Sequence, residues 1–268
     1  MQKSKLLVGT GLVLSALTCL AGWTGDNYQG GVNVSGTEGE YVYPLFSYSS
    51  TGSADATTTS DLSGVYVSGS VESGSSIISD AGATVSTFHT IAFAYAQAYG
   101  DYTWNGPAGY PNGPENFPIH ISANMIGYCE GGSGAGLGCE STSGASYVGE
   151  ASASGDMIDG GQVTRSLSGS VEGTETGTGG HSTYTVYGNS PQGASDPNGN
   201  NAWARSWLVL EEDYNVEDQV PPSLHLSVQM GSNSDVSITC NPVGSANAAA
   251  DAIAKVIGSA SITFGTAH

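Results

Sequence analysis

Residues 87–104 read TFHTIAFAYAQAYGDYTW, and their pattern decides the fold class. Large side chains fall at His89, Ile91, Phe93, Tyr95, Gln97 and Tyr99, with alanines at 92, 94, 96 and 98 between them. The period is two, with one bulky face and one smooth face, as in a buried or half-buried β-strand. A helical reading competes, because Ala is the best helix former and Tyr95 and Tyr99 sit four apart. Ile, Phe and Tyr prefer a pleated surface and a helix would scatter them, so a strand is expected.

The same alternation of apolar with small residues recurs outward from this stretch. GVNVSG (31–36), GVYVSGSVE (64–72), PIHISA (118–123), SYVGEASASG (146–155) and QVTRSLSGSVE (162–172) read as short strands. So do STYTVYG (182–188), SWLVLEE (206–212), SLHLSVQM (223–230), SDVSITC (234–240) and SASITFG (259–265), with Gly, Asn, Asp or Pro clusters between them. The expected fold class is all-β, a mostly antiparallel sandwich or a barrel-like closure, with a solenoid as the lesser alternative. One short helix is expected at 247–257, NAAADAIAKVI, ending before Gly258 as a C-terminal cap. Residues 47–64, SYSSTGSADATTTSDLSG, carry no apolar pattern and read as a flexible surface segment or linker. SGSVE occurs at 68–72 and again at 168–172, but no fixed repeat period emerges from a chain so rich in Ser and Gly. Residues 23–268 are expected to form one large β-rich domain, and any division falls in the Pro/Gly stretch at 105–118.

Residues 1–22 have Lys3 and Lys5 ahead of an apolar run from Leu6 to Leu20, then Ala21 and Gly22. This is the pattern of a secretory signal peptide. The run falls short of the about 20 apolar residues that span a bilayer, so no transmembrane segment is expected once it is cleaved. Lipidation at Cys19 is the weaker alternative, since Thr18 and Ala16 depart from the small residue and Leu usual before a lipidated cysteine. The chain carries 5 Lys and Arg against 24 Asp and Glu, a net charge of −19. Loss of Lys3 and Lys5 takes −19 to −21 and leaves Arg165, Arg205 and Lys255 as the only cations. So acidic a chain repels phosphate backbones and anionic lipid heads, which argues against nucleic-acid and membrane-surface binding.

Beyond Cys19 there are Cys129, Cys139 and Cys240. The segment CEGGSGAGLGC is flexible enough to close, so in an oxidising compartment a Cys129–Cys139 disulfide is expected, worth roughly 2–3 kcal/mol. Cys240 is then a buried thiol, a partner for one of the other two, or a bond between chains. The histidines at 89, 120, 181, 225 and 268 form no metal motif, and alternation puts His120 and His225 on a solvated face. No GxSxG elbow and no phosphate-binding glycine loop is present.

Three binding chemistries remain. Asp196, Asn198 and Asn200 alternate in GASDPNGNNAW like the start of a Ca²⁺ loop, without the Gly and the terminal acid of an EF-hand. The Pro-rich stretch 100–118 carries Tyr102, Trp104 and Tyr110, rigid aromatics suited to stacking on sugars or partner side chains. Acids at Glu211, Glu212, Asp213, Glu217 and Asp218, or Asp156 with Asp159, could supply the paired carboxylates of a glycosidase. No spacing among them specifies two opposed carboxyl groups. The expected function is a secreted or cell-surface structural or adhesive β protein without catalysis, a matrix or filament subunit. Its partners would be glycans or other copies of itself, with Ca²⁺ as the only candidate cofactor. A carbohydrate-binding module is the alternative, and a glycoside hydrolase the third reading.

Overall fold

The computed structural model describes residues 23–38, 46–79, 88–104, 118–155, 161–176, 179–196, 201–215, 223–240 and 247–264. The predicted signal peptide, most of the aromatic loop, and the pair Asp156/Asp159 lie outside these residues, as do Glu217 and Asp218. Within the described residues are twelve strands: β1 (Trp23–Glu38), β2 (Phe46–Asp61), β3 (Gly64–Ser79), β4 (Phe88–Trp104), β5 (Pro118–Ala135) and β6 (Cys139–Gly155). The remainder are β7 (Gln162–Thr176), β8 (Gly179–Tyr187), β9 (Gln192–Ser195), β10 (Asn201–Asn215), β11 (Ser223–Cys240) and β12 (Ala248–Phe264). They form two antiparallel sheets, in the orders β1-β4-β11-β6-β7-β8 and β2-β3-β12-β5-β10-β9. The sheets stack as a sandwich, with β4 over β3, β11 over β12 and β6 over β5. Strands from both sides of the 105–118 stretch interleave in both sheets, β4 beside β11 and β3 beside β12.

The strand expected at 87–104 is β4, and its smooth face is the inner one. Ala92, Ala94, Ala96 and Ala98 are buried, while Tyr95 on the opposite face is 39% exposed. Small inner residues let the two sheets approach closely. From β2, the Ser50 and Ser60 hydroxyls donate to the main-chain carbonyls of Ile91 and Tyr99 in β4, each at 2.7 Å. Ser75 Oγ of β3 meets Ser234 Oγ of β11 at 3.0 Å. A serine side chain is two heavy atoms long, so here the sheets lie nearer than the usual spacing of about 10 Å.

The two buried tyrosines enter where glycines leave room for their rings. Tyr147 of β6 lies over Gly127 of β5 and Gly169 of β7, where any Cβ would sit 2.1 and 2.4 Å from its ring. Its hydroxyl bonds Ser206 Oγ at 2.7 Å, which satisfies a polar atom that burial would otherwise penalise. Tyr102 does likewise over Gly100 and donates to the Asp61 carbonyl at 2.9 Å. In the second sheet Gly69 and Gly258 stand opposite one another with φ of +133° and +141°. A Cβ on Gly258 would fall 2.0 Å from the Asn124 carbonyl oxygen, so the backbone of β5 closes that position to every other residue.

Four expectations are corrected. The helix expected at 247–257 is the first part of β12. Ala248, Ala250, Ala252, Ala254 and Val256 are buried on one side, and two neighbouring ladders outweigh the helix preference of alanine. The supposed linker at 47–64 is mostly β2, paired with β3 from Phe46 to Asp61; its inner residues are small rather than apolar, so an apolar pattern could not reveal it. The strands are also long, from 15 residues in β7 to 18 in β5 and β11, apart from β8 and β9. SLHLSVQM and SDVSITC are one strand, because the Gly231–Ser234 punctuation lies inside β11.

The disulfide joins Cys139 to Cys240, and Cys129 is a buried free thiol. Residues 130–135 continue β5 instead of looping back, so Cys129 and Cys139 belong to different sheets. Cys139 and Cys240 stand directly opposite in the β6–β11 ladder, 4.1 Å apart at Cα. They close the end of the sandwich where Ser133, Ser141 and Ser143 are among the inner residues. Burial pushes the Cys129 thiol up to about 12, which keeps it protonated.

Two measurements test this core. Ala96→Leu should lower the free energy of unfolding by about 1–3 kcal/mol or more in denaturant titrations, through overpacking, while Tyr95→Leu on the outer face stays within about 0.5 kcal/mol. Replacing Cys139 and Cys240 together with alanine should cost about 2–5 kcal/mol, whereas Cys129→Ala should leave the resistance of the oxidised protein to reductant unchanged.

Candidate functional site

An inner face of small residues puts the bulky ones outside, and they gather on the outer face of the second sheet. In β10, Ala202, Ala204, Ser206 and Leu208 point inward, so Trp203, Arg205, Trp207 and Val209 point out. Register with β5 and β12 arranges them in rows: Trp203 beside Glu130 and Ile253, Arg205 beside Tyr128 and Lys255, Trp207 beside Ile126 and Ile257. β9 adds Ala194 next to Trp203 and Gln192 next to Arg205. The patch is open to solvent, with Trp203 37%, Ile126 42% and Ile257 48% exposed.

Its polar groups are partly engaged with one another. Lys255 Nζ lies 2.7 Å from Glu72, the Tyr128 hydroxyl donates to Glu130, and the Arg205 guanidinium lies over the Trp207 ring at 5.7 Å. Burial, followed by the bond to Glu130, pushes the Tyr128 phenol up to about 12. Arg205 forms no ion pair among the described residues. Arg205 and Lys255 therefore both lie on this one face.

Trp203 separates two hollows. One, of about 480 Å³, is floored by Gly131 and Gly132 and walled by Glu130, Asp196, Asn201 and Asp251. The other, of about 500 Å³, is lined by Ile126, Tyr128, Gln192 and Arg205. Asn201 Oδ1 and Asp251 Oδ1 lean over Gly132 so closely that a Cβ there would meet them at 2.7 and 3.0 Å. Burial, and then the neighbouring Glu130 charge, raises the Asp251 carboxyl above the ordinary carboxylate range. An indole flanked by carboxylates, amides and a guanidinium is the donor and acceptor set that grips hydroxyl-rich rings: the ring stacks and the polar groups hold its hydroxyls.

The residues singled out in the sequence are scattered by the fold. Tyr102 is buried in the core, Trp104 ends β4, and Tyr110 is outside the described residues. Of the proposed calcium ligands, Asp196 lines the first hollow and its amide bonds the Asn201 carbonyl at 3.0 Å, while Asn198 and Asn200 are outside the described residues. Among the described residues no group of three or more His, Cys, Asp and Glu could hold a metal ion. Alternation sends Glu211 and Glu212 to opposite faces of β10. Glu212 points inward onto Arg165 Nε at 2.8 Å and the Tyr214 hydroxyl, and those bonds, Tyr214 first, hold its carboxyl below the usual range. His120 and His225 do lie on outer faces, paired with Asp213 at 2.9 Å and Asp101 at 2.7 Å, and His89 pairs with Asp235 at 2.7 Å. The signal for the Trp203 patch was present in AWARSWLVL, where large and small residues alternate as in 87–104.

Comparison with protein-family models, with curated proteins and with solved structures finds no match to this chain.

A raised folded-state pKa at Asp251 means that its contribution is favourable below the ordinary Asp value and is lost as pH rises through the raised one. Asp251→Asn should therefore raise the thermal midpoint at pH 7, with the gain vanishing near pH 3 in melts followed by circular dichroism.

Proposed function

We propose that the protein acts outside the cell as a non-catalytic adhesive β-sandwich that holds a polysaccharide on the outer face of the second sheet. The observation that carries this reading is Trp203 standing between two hollows, with Asp251, Asn201, Gln192 and Arg205 converging on them from three strands. Sugar rings present apolar C–H faces to an indole and hydroxyls to carboxylates, amides and guanidinium groups. A rigid sheet offers these partners with little ordering cost, which favours recognition of an extended chain. Export is supported by the leader-like residues 1–22 and by the Cys139–Cys240 disulfide, which suits an oxidising compartment. The described residues contain no helix long and apolar enough to cross a membrane.

The test is affinity electrophoresis and calorimetry of the purified protein against neutral and acidic polysaccharides. At least one should bind, and Trp203→Ala should weaken it at least about tenfold, about 1.4 kcal/mol, with Trp203→Phe keeping part of the affinity. Because Trp203 faces solvent, its replacement should leave the thermal midpoint within a few degrees of the wild type. A panel that binds nothing, or binding indifferent to Trp203, would remove this reading.

A further inference from the structure

The ends of the sandwich are built differently. At one end the second sheet finishes on β9, only four residues long, and the adjoining stretch of β10 is covered by Asn189, whose amide and side-chain nitrogens bond the Trp207 and Val209 carbonyls at 2.8 and 3.0 Å. The first sheet finishes there on β8, nine residues long. At the other end the second sheet finishes on β2, whose register with β3 runs without a break from Phe46 to Asp61. Among the described residues no strand lies along the outer edge of β2. That edge carries few of the devices that blunt a sheet: apart from Asp55 and Asp61, β2 has no charged residue, no Pro and no bulge, and Ser50 and Ser60 pin it to β4.

From this edge we infer that two copies of the chain pair antiparallel through β2, continuing the second sheet from one protomer into the other. Another strand pairs with a whole row of main-chain donors and acceptors at once, and a self-complementary edge closes as a two-fold dimer. A two-fold axis perpendicular to the sheet keeps inner faces inner, so only residues of equal parity oppose one another. Centred on Ala54, it sets Thr51 against the partner's Thr57, Ser53 against the partner's Asp55 and Ser49 against the partner's Thr59. Cross-strand threonine pairs are favourable, and each aspartate meets a serine instead of another acid. Ser47–Asp61 then lies along its own copy for about 50 Å. The blunted far end offers no edge of matching length, so growth stops at two.

Sedimentation equilibrium of the purified protein at micromolar concentration decides the matter, with a mass of twice that of the purified chain expected. T51K/T57K sets lysine against the partner's lysine at both symmetric positions and should sediment as a monomer. T51K/T57E sets opposite charges there and should restore the dimer. Thr51 and Thr57 are both exposed, and circular dichroism should give the wild-type spectrum for each variant. A wild-type protein that stays monomeric, or a T51K/T57K variant that dimerises as strongly as wild type, overturns the proposal. A folded T51K/T57E that stays monomeric overturns the Ala54-centred register. Trp203→Ala, at the opposite end of the sheet, should dimerise unchanged, which separates this result from polysaccharide binding.

Discussion

The separation of the two sheets governs this molecule. Where serine hydroxyls of β2 reach main-chain carbonyls of β4, the inward residues of β2 between Ser50 and Ser60 are no larger than threonine. Each buried alanine contributes far less transfer free energy than a valine or leucine would. Long strands compensate through sheer ladder length, and aliphatic residues such as Val65, Ile121, Leu226 and Ile262 towards one end and Ile77, Val236 and Ile238 towards the other add apolar burial. At the end where Ser133, Ser141 and Ser143 lie inside, a covalent bond between β6 and β11 is added to packing. Tyr147 and Tyr102 enter the interior only because glycines beneath them make room.

The same constraint shapes the surface. A strand alternating large with small residues has to turn its large ones outward when the interior admits only small ones. The outer faces are therefore unusually rich in aromatic and branched side chains for an acidic chain. On β4 and β11 these are spread among His–Asp pairs and polar residues. On β5, β10 and β12 three strands bring theirs into register, and two cations join them, which is why the proposed polysaccharide site is set on that face. Function here would follow from what the core excludes.

Much of the architecture was legible because period two survives whichever face is buried. β4, β7 and β10 could be read directly from alternation in 87–104, 162–172 and 206–212. The two stretches misread, 47–64 and 247–257, fail for one reason: their inner residues are Ser, Gly, Thr and Ala, which local rules assign to linkers and helices. The disulfide was misassigned because glycines at 131, 132 and 134 suggest a loop, although they continue β5 and Gly131 is what fits against Ser143 and Val171 of the facing sheet. Tyr102 lies in the core, and the outer face of β10 presents Trp203 instead.

By itself, the sequence determined that this is an acidic β protein with a leader-like start, with strands set by residue alternation, because period two is a local property of the chain. Which face of each strand is buried, which cysteines meet, and which aromatics share a surface were decided by tertiary structure alone. Those outcomes depend on how near the sheets can come, and that distance is set jointly by residues far apart in the chain, such as Ser50 with Ile91 and Ser75 with Ser234.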